Sequence, residues 1–130
     1  MSITQNTHPR ISADWVGIPE QLDMNEATAT LLATEQMQAD DRGLIHGGFT
    51  FGLADFAAML AVNDPHVVLG AAECKFLAPV KVGETMRARA RVETEKSKKR
   101  VVKVDVSVNE KPVFDGVFTC FVLEQHVLDQ

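Results

Sequence analysis

Four residues of this 130-residue chain combine types and spacing that could do chemistry: His46, Gly47, Gly48 and Asp55. Asp55 is the one acidic or basic side chain between Arg42 and Asp64, inside the run HGGFTFGLADFAAMLAV at 46–62. A carboxylate in apolar surroundings loses hydration, holds its proton more tightly and becomes a stronger base once ionised. Two readings are open for it. It is a structural carboxylate bonded to backbone amides or to a neighbouring Arg, or it is an acid, base or nucleophile at the edge of an apolar tunnel, where shifted carboxylates concentrate. The glycines also carry two readings. They make a tight turn into a helix, or they let the backbone approach a ligand closely because no Cβ intervenes. Amides at a helix start favour a developing oxyanion.

The run that holds these residues is too long for a strand and rich in the helix formers Ala, Leu and Met, so it predicts a helix. Gly47 and Gly48 stand at its entrance and Asn63-Asp64-Pro65 at its stop. At 3.6 residues per turn, Phe49, Leu53, Phe56 and Leu60 share one face, and Phe51, Asp55, Met59 and Val62 share another. No face is charged. Such a helix must be covered almost all round, by a sheet that curls about it or with help from a second subunit.

Strand patterns surround it. ATATLLATEQM, from Ala27, nearly alternates, and after Pro65 four more runs follow: VVLGAAECKFLAP, TMRARARVETE, RVVKVDVSVNE and KPVFDGVFTCFVLE. Met86, Ala88, Ala90 and Val92 alternate with Arg87, Arg89, Arg91 and Glu93, and Val102, Val104, Val106 and Val108 form the apolar face of the next run. The arginines are expected to pair with acids on neighbouring strands. Trp15 and Val16 read as apolar anchors of a short helix or turn ended by Pro19, and residues 1–10 read as a frayed, flexible end. One strand, a central helix and four strands make one α+β domain over residues 1–130, with an antiparallel sheet.

Composition narrows the function. Hydrophobic residues are 45% and charged residues 24%, ordinary for a globular domain. The net charge of −5 argues against nucleic acid as a general partner. No apolar run reaches the roughly 20 residues of a membrane span, since Thr50, Gly52 and Asp55 interrupt the best candidate, so no membrane partner is expected. The start MSITQNTHPR lacks an apolar signal region, and Cys74 and Cys120 show neither metal spacing nor a disulfide framework. These features point to the cytoplasm, to reduced structural thiols, and to no metal or other cofactor.

The order strand, HGGFTFGLAD helix, then four strands with FLAPVKVGE after the second strand, resembles the hotdog-fold acyl-CoA thioesterases, particularly the phenylacetate-pathway type. In that family a His-Gly-Gly opens the central helix and an acid follows the first Gly by eight positions, as Asp55 follows Gly47. The resemblance runs from about Ala27 to Glu124. It implies a curved antiparallel sheet wrapped around the helix, and a homodimer with active sites at the interface, often doubled into a tetramer. It implies hydrolysis of an acyl-CoA thioester, with the Gly47 amide polarising the carbonyl and Asp55 of the partner protomer attacking or activating water. His46 would orient the helix entrance or contact substrate. Gly48, Phe51 and Met59 would lie along the substrate path, and Lys98, Lys99 and Arg100 of the hairpin EKSKKR would meet the coenzyme phosphates; a plain solvated hairpin tip is the alternative for the last three. Relatives carry Asn or Gln six residues before the motif His, where this chain has Asp40, so a substrate-placing role there is a departure from the pattern.

Two other functions compete. Hotdog hydratases or dehydratases resemble one another in an Asp, four residues and a His, a spacing that Asp41 and His46 reproduce, but the usual Asn-Pro before the His is absent. A non-catalytic acyl-CoA-binding protein, like the ligand domain of hotdog lipid regulators, is the third; such regulators add a basic DNA-binding helix-turn-helix, for which the N-terminal stretch is too short.

Overall fold

The computed structural model describes residues 3–130. The short helix α1 (Ala13–Val16) and strands β1 (Ile18–Asp23) and β2 (Glu26–Leu32) precede a 3-10 turn, Glu35–Met37, and the long helix α2 (Gly47–Val62). Strands β3 (Val67–Phe76), β4 (Thr85–Lys96), β5 (Lys99–Val108) and β6 (Lys111–Val122) follow. All pairings are antiparallel, in the order β1-β2-β4-β5-β6-β3.

The helix packs against all six strands. Six strands laid flat would span about 24 Å, twice the roughly 10–12 Å girth of a helix. Both edge strands reach α2 only because the sheet curls around it. Bulges at Pro19/Gln21, Leu69/Ala71, Val92/Thr94 and Val106/Ser107 supply local bends. Small side chains on both surfaces, Ala54, Ala57, Ala58 and Ala61 on the helix and Ala29, Ala88 and Ala90 on the strands, are buried and allow close approach. The alternation in β4 and β5 holds: Met86, Ala88, Ala90, Val102, Val104, Val106 and Val108 all face inward and are buried.

Two expectations need correction. The sheet has six strands rather than five, because residues after Pro19 continue as β1. Proline is tolerated there because β1 lies at the sheet edge, and only Leu22 of the strand is buried, so little alternation announces it. The described part of the first ten residues also departs from a frayed end. The Ile3 N–H donates to the Leu22 carbonyl at 2.9 Å. The Asn63 side chain accepts from the Asn6 N–H at 2.7 Å and donates to the Thr4 carbonyl at 2.8 Å. Thr7 is buried, and the His8 ring lies 6.1 Å from Phe56. This segment and α1 cover part of the surface of α2 that the sheet leaves open. Burial also pulls the His8 pKa below its usual value.

Asn63, at φ 55°, ends α2 in the left-handed conformation, its N–H donating to the Met59 carbonyl at 2.7 Å. Gly17 is another position where conformation favours the residue found: φ is 101°, and a Cβ would stand 2.5 Å from the Thr30 carbonyl oxygen. Among the described residues, no helix is long and apolar enough to cross a membrane.

Candidate functional site

Most of α2 is covered, and apart from Gly47, Phe49 and Gly52 near its start the incompletely buried positions fall on one stripe. Gly48 is exposed and Phe51, Asp55 and Val62 are half-buried, while the residues between them in sequence are mostly buried. Positions 48, 51, 55 and 62 fall on one helical stripe. That stripe looks toward the side of the sheet ending in β3, where the Phe51 ring lies 5.4 Å from Phe118 of β6. On the inner face of β3, Leu69, Ala72 and Cys74 are likewise only half-buried.

Asp55 sits in this partly open seam. Its Oδ1 is shut away from solvent and has no hydrogen-bond partner among the described residues. Burial pushes its pKa up to about 6. The structural reading, a carboxylate satisfied by amides or an arginine, is therefore not the arrangement found at this oxygen. Cys120 of β6 is close enough to feel the charge: its thiol is pushed up to about 12, chiefly by its own burial and further by Asp55. Such a thiol stays protonated and is no nucleophile near neutral pH. Both cysteines are free, Cys120 buried and Cys74 half-buried.

The helix start forms the second half of the candidate site. His46 is the N-cap residue, its N–H donating to the Met37 carbonyl at 2.9 Å. Its ring is exposed, makes no side-chain cap, and stands edge-on to Phe49 at 6.1 Å. The Gly47 and Gly48 N–H groups, in the first turn, find no acceptor among the described residues. A Cβ on Gly47 would lie 3.2 Å from the Phe76 ring, so glycine is what lets that ring close over the helix start. The same strand pair sets both levels: Phe76 pairs with Phe114 beside Gly47, and Leu69 pairs with Cys120 beside Asp55.

The remaining site residues from the sequence fall apart from this pair. Met59 is 1% exposed and belongs to the core, so it lines no opening of the single chain. Asp40 turns its carboxylate onto its own loop, accepting from the Arg42 N–H at 2.9 Å and the Leu44 N–H at 3.3 Å. Asp41 is exposed in that loop, with no bond to His46 among the described residues. Lys98, Lys99 and Arg100 stand at the β4–β5 hairpin. Arg100 is engaged by Glu95 at 3.3 Å and by the Ser97 and Lys99 carbonyls, whereas Lys98 and Lys99 are exposed, Lys98 lying 4.0 Å from Glu124. Arg100 pairs with Cys120, so the base of this hairpin lies at the level of Asp55. The arginine stripe pairs with a neighbouring strand at Arg91, 3.8 Å from Glu26 of β2, while Arg87 reaches across β2 to Glu20 of β1 at 2.8 Å. Phe76, 56% exposed beside the glycines, is a site neighbour that the sequence did not single out; its position at the end of a strand, outside the helix, gave no periodic signal.

Neither of two surface depressions belongs to the seam. One, on the outer sheet face, is lined by Arg89, Arg91, Lys103 and Asp105, and the other, between α1 and β2, by Trp15, Ile18 and Leu32. No group of three His, Cys, Asp or Glu able to hold a metal occurs among the described residues.

Residues 42–113 match the family model of the thioesterase superfamily. The structure superposes with a TM-score of 0.98 on an uncharacterized protein of Pyrococcus horikoshii, 48% identical, over 99% of both chains. It superposes with a TM-score of 0.77 on the Escherichia coli PaaI protein of the phenylacetic acid degradation operon, 26% identical over 84% of this chain and 80% of that one. Among curated relatives, an Aquifex aeolicus protein named methylthioribose-1-phosphate isomerase is 46% identical and a Caldanaerobacter subterraneus transcription factor FapR is 29% identical, each over 91% of this chain. The chain spans only 26% and 60% of the length of those two relatives. With its curled six-stranded sheet around one apolar helix and its matched span of 42–113, the chain belongs to the thioesterase superfamily and has the hotdog fold of the PaaI-like members.

Proposed function

We propose that the protein is an acyl-CoA thioesterase in which Asp55 is the general base or nucleophile and the Gly47 N–H is the oxyanion donor. The observation that carries this reading is the solvent-shielded Oδ1 of Asp55, without a hydrogen-bond partner among the described residues, on a half-open stripe of a mostly buried helix. A carboxyl with a pKa of about 6 is ionised at neutral pH and more basic than one in water. It can draw a proton from water as that water attacks the thioester carbon, or attack the carbon itself to give an anhydride that water then opens. In either case the carbonyl electrons move onto oxygen, where the free amides and dipole of the helix start stabilise them, and the C–S bond breaks to release CoA thiol.

Gly47 and Asp55 are eight residues apart, about 12 Å along a helix, too far to act on one carbonyl. A second copy resolves this. β3 is an edge strand of ten residues with inward side chains only half covered. Antiparallel pairing of two β3 strands centred near Ala72 and Glu73 sets Phe76 of one protomer opposite Leu69 of its partner. Gly47 of one protomer then comes to the level of Asp55 of the other, forming two composite sites. Such pairing also satisfies an edge that would otherwise invite aggregation. In this arrangement Gly48 and Phe51 border the acyl group, and His46 holds the helix entrance. Lys98 and Lys99, free of the tight contacts that hold Arg100, are placed to meet coenzyme phosphates beyond the Asp55 level.

The test is release of CoA from acetyl, medium-chain, long-chain and phenylacetyl thioesters by the wild type and by Asp55→Asn. Hydrolysis that collapses in a folded mutant supports the assignment. Hydrolysis indifferent to the mutation removes Asp55 from the chemistry. Acyl-CoA binding without turnover by the wild type would favour the second reading, a non-catalytic acyl-CoA-binding protein.

A further inference from the structure

We infer that Phe76 is a specificity-determining residue, whose ring forms the wall against which the acyl carbons next to the polarised carbonyl lie. This inference rests on the proposed thioesterase reading and deepens it. A phenylalanine normally gains most by being buried, yet Phe76 is 56% exposed at the end of an inward-facing row. Its placement is nevertheless fixed. The ring packs edge-on against Phe114 at 5.2 Å and 77°, and its edge stands where a side chain on Gly47 would begin.

The ring is also the first of a continuous series. Phe76, Phe114, Phe118 and Phe51 follow one another at centroid separations of 5.2, 6.3 and 5.4 Å. The series starts at Gly47 and ends one helical turn before Asp55. A carbonyl oxygen directed at the Gly47 amide therefore has its acyl carbons beside Phe76, the one ring of the series with a broadly open face. Apolar carbons placed there displace water from that face and gain by it, while an acetyl group is too short to cover it. The wall favours a longer apolar acyl group over acetyl.

The experiment compares kcat/KM for hexanoyl-CoA and acetyl-CoA in the wild type, Phe76→Ala and Phe76→Leu, with the oligomer mass of each by sedimentation. Phe76→Ala is expected to lower kcat/KM for hexanoyl-CoA by at least about tenfold, mainly through KM, and to leave acetyl-CoA within about threefold. Phe76→Leu recovers much of the loss, and the mass is unchanged. An equal loss on both substrates, or loss of the oligomer in Phe76→Ala, overturns the inference and leaves Phe76 only the role of holding the two β3 strands together. If the wild type hydrolyses neither these two thioesters nor the long-chain and phenylacetyl ones, the thioesterase reading fails by itself. Calorimetry with hexyl-CoA, a thioether that cannot be cleaved, then decides the role of Phe76: weaker binding by Phe76→Ala supports it, and equal binding overturns it.

Discussion

The two long faces of α2 are made from the same kinds of residue and serve opposite ends. Toward the centre of the sheet, Leu53, Ala57 and Leu60 are completely buried. Toward β3, Phe51, Asp55 and Val62 are only half covered, and the carboxylate oxygen among them has no partner. The first face holds the fold together. The second is held open by the first, and it carries a group whose burial costs stability. An unsatisfied carboxylate is tolerable only where a rigid, well-packed helix fixes it in place.

That contrast can be tested from its strongest consequence downward. Asp55→Asn is expected to reduce kcat for the best thioester by about 10³-fold, with far-ultraviolet circular dichroism unchanged; an active mutant would erase the distinction between the faces. Leu53→Ala, on the closed face, is expected to cost about 3 kcal/mol in chemical denaturation while leaving KM of the folded fraction unaltered. Gly17→Ala should cost about 2 kcal/mol in the same assay, because a Cβ there meets the Thr30 carbonyl.

Asp55→Asn should also stabilise the protein near pH 7, by about 1 kcal/mol after allowance for solvent screening. The sign follows from the direction of the shift. The folded-state pKa of about 6 lies above the ordinary 3.8, so the folded state holds the proton longer than the unfolded chain. Wild-type stability therefore falls as pH rises from about 4 to about 6, and the advantage of the mutant vanishes below that window. Denaturation midpoints at pH 4 and pH 7.5 check this, and a gain that persists at pH 4 would place the cause elsewhere. The smallest effect is expected on the outer sheet face, where Arg87→Ala should cost no more than about 0.5 kcal/mol, because its pair with Glu20 is exposed.

The legible parts of this fold were those whose signal is local. The period-two runs of β4 and β5, the uncharged helix, and the stop at Asn63-Asp64-Pro65 each state their conformation within a few residues. Asp55 was legible as an anomaly for the same reason: one charge in an apolar run. What the sequence hid depends on residues far apart. The clasp joins the Asn63 side-chain amide, across nearly sixty positions, to backbone groups of residues 4 and 6 that any residue would provide. Strand β1 was masked by a proline that only an edge position permits. Met59 shares a helical face with Asp55 yet lies in the core, because face membership on a wheel does not tell where a curled sheet stops. The exposure of Phe76 follows from β3 being last in the sheet, a fact of strand order rather than of composition.

The order of strands also has a consequence for synthesis of the chain. The helix is complete at Val62, but β4 and β5, which cover it together with the earlier β2, and β6, which ties them to β3, are complete only at Val122. A ribosome therefore adds about 60 residues, over roughly 3–12 s at ordinary elongation rates, while an apolar helix waits with only part of its cover. The nascent chain offers chaperones a greasy segment for seconds on every round of translation, and closure must await β6, the strand that joins β5 to the free edge.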